Sequence, residues 1–113
     1  MPNMSNESDA ELHYRLLRVI EQQPEISQRD LAQELGLSLG KVNYCLKAFV
    51  ARGLVKVGNF RRTDNKLAYT YLLTPKGFEE KARVTLRFFR RIEAEYETLK
   101  HEVERYEQRK VGS

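Results

Sequence analysis

A group of polar side chains near the middle of the chain has the types and spacing for chemistry with a nucleic acid. Lys41 and Lys47 can bind phosphate or guanine, Asn43 can form two hydrogen bonds with adenine, and Tyr44 can reach phosphate or a thymine methyl group. Gly40 lacks a side chain, so the backbone beside it can approach a ligand closely. These residues can act together only if one helix presents them on one face.

Other kinds of site have little support in the sequence. His13 and His101 lie far apart and have no Cys or His at metal-ligand spacing, which excludes a zinc site of that type. Cys45 is the single cysteine, and a chain without disulfides fits the reducing cytoplasm. No apolar run of about 18 residues, no signal peptide and no catalytic arrangement is recognisable. We therefore expect a cytoplasmic protein that is not an enzyme and has no cofactor, no metal and no membrane contact.

Positive charge is concentrated in one part of the chain. The 113 residues carry a net charge of +4. Residues 54–77 contain five basic side chains and a single acidic one, Asp64. Such a cluster attracts polyanions through its local field and through counterion release.

Three short helices are predicted before this basic segment, over residues 9–22, between the cap Ser27 and the terminating Gly36, and over residues 39–52. In the first, apolar residues recur at helical spacing from Leu12 to Ile20. In the second, Ser27 is a helix-capping residue. The start of that helix can also hold a phosphate, through Ser27, Gln28 and Arg29.

The third helix would present the polar group to solvent. Ser38 is its predicted cap, and Val42, Leu46, Phe49 and Val50 repeat at the spacing of one buried face. With these four inward, the residues that face outward are Gly40, Lys41, Asn43, Tyr44 and Lys47.

The hydrophobic period then changes to two, which predicts a β-hairpin. Val55 and Val57 alternate with polar or small residues, as do Tyr69 and Tyr71 on the second strand. The wing, residues 58–67, has a polar, basic tip. Its candidate nucleic-acid contacts are Arg61, Arg62, Asn65 and Lys66.

A long final helix is predicted to begin at Pro75 and to run to about Lys110, because no Pro or Gly occurs between Gly77 and Gly112. Its later part has the alternating three- and four-residue spacing of a coiled coil. A second copy of the chain would cover this stripe, so a homodimer is expected. The stripe consists of Phe89, Ile92, Tyr96, Leu99, Val103 and Tyr106.

The predicted fold class is mainly α with a small β-hairpin (α+β), a winged helix-turn-helix followed by a long coiled-coil helix. The expected organisation has a disordered N-terminus (1–7), a DNA-binding domain (8–77), a dimerisation helix (78–110) and a tail (111–113). In this arrangement the third helix enters the major groove, and the wing reaches the backbone or the minor groove.

Several short motifs in this order resemble MarR-type bacterial transcription regulators. They include Ser27-Gln28-Arg29-Asp30-Leu31-Ala32, Leu35-Gly36-Leu37-Ser38, Arg52-Gly53-Leu54-Val55 and Leu73-Thr74-Pro75-Lys76-Gly77. The run from Ser38 to Ala48, with Asn65-Lys66-Leu67-Ala68-Tyr69, looks closer to a short MarR-like subgroup associated with exopolysaccharide gene clusters. The resemblance implies a dimeric regulator on a palindromic operator that controls exopolysaccharide genes.

Double-stranded DNA and a second copy of the chain are thus the expected partners. The main alternative is a winged-helix adaptor that uses its coiled coil to bind proteins, since fold does not determine function. The polar and basic face of the third helix argues against it. A weaker alternative is binding to RNA or to single strands, for which the aromatic residues Phe60, Tyr69 and Tyr71 of the hairpin would be suited.

Overall fold

The computed structural model describes residues 7–61, 64 and 67–112, with the backbone alone for residues 7, 8, 67, 111 and 112. In this part of the chain, three helices precede a hairpin and a fourth helix follows it. The elements are α1 (Glu7–Gln22), α2 (Gln28–Leu35), α3 (Leu39–Ala51), β1 (Val55–Arg61), β2 (Leu67–Leu73) and α4 (Pro75–Gly112). Fold class, element order and the long last helix agree with the sequence prediction. Of the predicted disordered N-terminus, residues 1–6 lie outside the described residues.

Local capping explains where α2, α3 and α4 begin. Ser27 Oγ accepts a hydrogen bond from Asp30 N at 3.0 Å, and Ser38 Oγ accepts one from Lys41 N at 3.1 Å. Thr74 Oγ1 does the same for Gly77 N at 3.0 Å. Each bond satisfies a backbone donor that the first turn of a helix leaves without a partner.

Gly36 ends α2 and permits the short turn into α3. Its φ of 68° lies in the left-handed region, which a residue without Cβ adopts at little cost. Helices α2 and α3 are therefore joined by a connection of three residues, which orients α3 across the body.

The core lies between α1, α2, α3 and the base of the hairpin. Leu16, Leu17, Ile20, Leu31 and Val42 are fully buried. On α3 the buried residues are Val42, Cys45, Leu46 and Phe49. Burial raises the pKa of the Cys45 thiol, as expected for a small core residue.

The prediction that Val50 faces inward was wrong. Its side chain is 41% exposed, because the buried face of α3 is completed by Cys45 and Phe49. Val50 instead borders a groove beside the hairpin.

The hairpin is antiparallel, with Val55 opposite Leu73 and Val57 opposite Tyr71. Tyr71 N donates to Pro24 O at 2.8 Å, and Thr70 Oγ1 donates to the same oxygen at 3.1 Å. These bonds attach β2 to the turn between α1 and α2. The hairpin therefore has a fixed position relative to α3.

Only the first part of α4 packs against the body. Val84 is buried in the core, and Arg91 forms an ion pair with Glu11 of α1. Glu80 is held by Arg83 at 2.6 Å and Arg52 at 3.5 Å. The hydrogen bond from Arg83 is the main reason that the pKa of Glu80 is lowered. Beyond residue 91 every side chain of α4 that the structure describes is exposed, and the molecule is 71 Å long.

Candidate nucleic-acid interface

The outward face of α3 contains the predicted polar group. Gly40, Lys41 and Lys47 are exposed, and Tyr44 is 64% exposed. Lys41 Nζ lies 5.9 Å from the centroid of the Tyr44 ring. Two ammonium groups and a phenol hydroxyl thus lie along one side of the helix, where they can contact a backbone of phosphates.

Asn43 differs from its neighbours because it is half-buried and hydrogen-bonded. Its Nδ2 donates to Gln28 Oε1 at 3.2 Å, and Gln28 Nε2 donates to Tyr71 Oη at 3.0 Å. The sequence predicts a phosphate contact for Gln28, but its amide lies between α3 and β2, bonded to Asn43 and Tyr71. The sequence offered no signal for this contact, since Gln28 and Tyr71 are 43 positions apart.

The remaining predicted residues at the start of α2 and α3 are exposed. Ser27 and Ser38 use their hydroxyl groups as caps, and Arg29 projects to solvent at the second position of α2. A cap and a phosphate contact are compatible, because a bound anion also approaches the N-terminus of a helix.

The wing contributes Arg61, which is exposed at the end of β1. Arg62, Asn65 and Lys66 lie outside the described residues. Asn59 and Tyr69 pair across the two strands near the tip, and Tyr69 is 61% exposed.

A groove of about 500 Å³ separates α3 from the hairpin. Its walls are both polar and apolar, with Asn43 and Lys47 on α3, and Val57 and Tyr69 on the strands. Val50 and Val57 are each partly exposed here, at 41% and 42%. The lining is mostly apolar, and Lys47 is its one cationic residue among those that the structure describes.

The six residues of the predicted stripe on α4 are all exposed. Their exposure ranges from 43% at Ile92 to 60% at Leu99 and Tyr106. Phe78, in the same heptad phase nearer the body, is 49% exposed. A row of large apolar side chains on a helix is characteristic of an interaction surface.

Two further features concern possible ligands and membranes. Within the described residues, no group of three or more His, Cys, Asp and Glu is placed to hold a metal ion. None of the helices described combines the length and the apolar character that crossing a bilayer requires.

Comparison with sequence families identifies a match to the first half of the described chain. Residues 9–56 fit the family model of winged helix-turn-helix DNA-binding domains. These residues include most of α1, all of α2 and α3, and the start of β1. The chain contains a winged helix-turn-helix domain.

Solved structures share this winged helix-turn-helix fold over most of the chain. A PadR-like transcriptional regulator from Bacillus cereus has a TM-score of 0.70 at 18% identity, over 78% of this chain and 90% of that one. The multiple antibiotic-resistance repressor MarR from Listeria monocytogenes has a TM-score of 0.51 at 21% identity, over 80% and 59%. FabT from Streptococcus pneumoniae, solved in complex with DNA, has a TM-score of 0.51 at 20% identity, over 86% and 72%. The comparison with curated proteins finds no match.

In the winged helix-turn-helix, α2 and α3 form the helix-turn-helix pair and the hairpin is the wing. The order and the short turn between α2 and α3 were predicted from local capping signals, and both are confirmed. The resemblance to MarR-type regulators holds for the fold.

Proposed function

We propose that the protein is a sequence-specific, duplex-DNA-binding transcription regulator that acts as a homodimer on a palindromic operator. One observation supports this most directly. The exposed side of α3 carries Lys41, Tyr44 and Lys47, with Asn43 beside them, and contains no acidic residue.

Each part of this surface has a separate role in the proposal. Helix α3 lies in the major groove, where Asn43 pairs with adenine and Lys41 and Lys47 contact phosphate or guanine. Arg61 at the base of the wing contacts the backbone, and Arg29 contacts a phosphate near the start of α2.

The exposed stripe on α4 supports the homodimer. Pairing two copies along this stripe removes its large side chains from water, at a gain of about 25 cal/mol per Å² of apolar surface. A symmetric dimer presents two α3 helices, so the operator should consist of two half-sites about one helical turn apart, or a multiple of that.

The proposed target genes rest on the sequence resemblance alone. The similarity of residues 38–48, 65–69 and 71–77 to regulators associated with exopolysaccharide clusters supports control of such genes. Chromatin immunoprecipitation would test this part separately, and enrichment of unrelated promoters alone would contradict it.

Two substitutions test the proposed contacts. Asn43→Ala should lower discrimination between the preferred duplex and its single-base variants, by about 1–3 kcal/mol at one base pair. Arg61→Ala should instead weaken binding to all duplexes alike and reduce the salt slope by about one. Fluorescence anisotropy on cognate and random duplexes over a salt series distinguishes the two effects.

The matched control for charge is Arg105→Ala, an exposed arginine on the distant half of α4. It should change neither discrimination nor the salt slope. Equal losses on cognate and random DNA for Asn43→Ala would contradict its role in base recognition.

A further inference from the structure

Three side chains from three elements form a continuous hydrogen-bonded chain beneath the exposed face of α3. Tyr71 of β2 accepts from Gln28 Nε2 at 3.0 Å, and Gln28 of α2 accepts from Asn43 Nδ2 at 3.2 Å. Asn43 is the end of this chain that lies nearest to the proposed DNA surface. We call Asn43, Gln28 and Tyr71 the amide relay.

The inner end of the relay has a fixed position. Tyr71 is only 4% exposed. Its backbone is held on one side by pairing with Val57 and on the other by the bond from Tyr71 N to Pro24 O. The phenol hydroxyl is therefore a fixed point from which the Gln28 amide can be oriented.

The relay leaves Asn43 able to bind a base. The amide nitrogen has two hydrogens, and Gln28 takes one of them. Within the described residues, Asn43 Oδ1 has no hydrogen-bond partner. Adenine recognition requires an acceptor for its N6 amino group and a donor for N7, and these are the two groups that remain.

Orientation of the amide has a direct consequence for base preference. A side chain that rotates freely presents either its oxygen or its nitrogen, and it loses that freedom when it binds. An amide held in place before binding avoids part of this loss. It also disfavours a base whose donor and acceptor are reversed.

We propose that Gln28 and Tyr71 are positioning residues that determine base specificity by holding the Asn43 amide in its reading orientation. The proposal rests on the proposed function, in which Asn43 contacts a base. It gives Gln28 a different role from the phosphate contact expected from the sequence. Tyr71 itself is too deeply buried to touch DNA.

The test begins with selection of preferred sequences from randomised duplexes by the wild-type protein. Dissociation constants are then measured for the preferred duplex and its single-base variants. Tyr71→Phe removes one hydroxyl and keeps the ring, so the fold should survive. It should lower discrimination at one base pair by about threefold to tenfold, the range expected for one hydrogen bond. Gln28→Ala should give the same loss at the same base pair.

A double-mutant cycle separates positioning from general damage. In the Asn43→Ala background, Tyr71→Phe should cause no further loss of discrimination, because the residue that it positions is absent. The matched control is Tyr69→Phe, the same change two residues earlier on the same strand and 61% exposed. It should leave the discrimination ratio unchanged.

The orientation of the Asn43 amide can also be tested without DNA. In the free protein, NMR relaxation of the Asn43 side-chain amide should show restricted motion, and Tyr71→Phe should increase that motion. An amide that is equally mobile in both proteins would overturn the proposal.

The DNA-binding measurements distinguish failure of the positioning role from failure of the proposed function. Two outcomes would overturn the positioning role and leave the proposed function standing. In the first, Tyr71→Phe leaves the base preference of the wild-type protein intact. In the second, Tyr71→Phe weakens binding to all duplexes by the same factor. If the wild-type protein has no base preference, the proposed function is overturned and the reading role with it.

Discussion

Gly40 is a single residue that affects both the stability of the fold and the proposed binding to DNA. It lies in the first turn of α3, and a Cβ added there would have no atom within 4 Å. Its backbone is helical. Within the described residues, no contact therefore requires glycine at this position, and glycine is a poor helix former. Close approach of the backbone to DNA supplies a reason for its presence.

Gly40→Ala should consequently raise the free energy of unfolding, by about 0.5–1 kcal/mol, and at the same time weaken binding to the preferred duplex. Chemical denaturation measures the first effect and fluorescence anisotropy the second. A variant that is more stable and binds DNA as tightly as the wild-type protein would contradict the role of Gly40 at the interface.

Residue-level predictions from the sequence depended on helical periodicity. That rule identified the exposed group Lys41, Tyr44 and Lys47, because side-chain direction follows from position along a helix. It failed for Val50, whose environment depends on where the hairpin lies. It also did not reveal the partner of Asn43, because that contact crosses from α3 to α2.

At the scale of elements, the junction between the hairpin and α4 depends on close contact of two backbones. A Cβ added to Gly77 would lie 2.0 Å from Leu54 O. That oxygen also accepts from Thr74 N at 3.1 Å. The first turn of α4 thus lies directly against the end of the α3–β1 connection.

Gly77→Ala should destabilise the fold by about 1–3 kcal/mol or more, because one of two backbone segments must move. Thermal or urea unfolding measures the loss, and Gly40→Ala is the matched control at a site with open space. Unchanged stability for Gly77→Ala would show that the junction is looser than the structure indicates.

Element bounds were largely predictable because the signals that determine them are local. Ser27, Ser38 and Thr74 each cap the helix that follows, and Gly36 ends α2. The attachment of β2 to Pro24 depends on contacts between distant parts of the chain. No local pattern predicts such a contact, and it is this contact that fixes the wing relative to α3.

At the scale of the whole molecule, the second half of α4 extends from the body with an apolar stripe and no covering element in the described chain. A single such helix in water leaves Tyr96, Leu99 and Val103 solvated. Pairing with a second copy would bury them, which is the basis of the proposed homodimer.

Leu99→Asp should convert the dimer to a monomer, because it introduces a charge in the middle of the stripe. Sedimentation equilibrium should give twice the 13.3 kDa of the chain for the wild-type protein and a single chain mass for the variant. Thr98→Asp, an adjacent exposed position outside the stripe, is the matched control and should remain dimeric. A wild-type protein that is monomeric at micromolar concentration would contradict the homodimer.

The central claim is sequence-specific recognition of duplex DNA, and one measurement tests it most directly. A fluorescent duplex from the region upstream of the protein's own gene is compared with a scrambled duplex over a salt series. We expect binding to the native duplex to be tighter by a factor of about one thousand or more, with a steep salt dependence. Equal affinity for both duplexes, or no binding to either at low salt, would contradict the claim, and absence of binding would favour a protein-interaction adaptor.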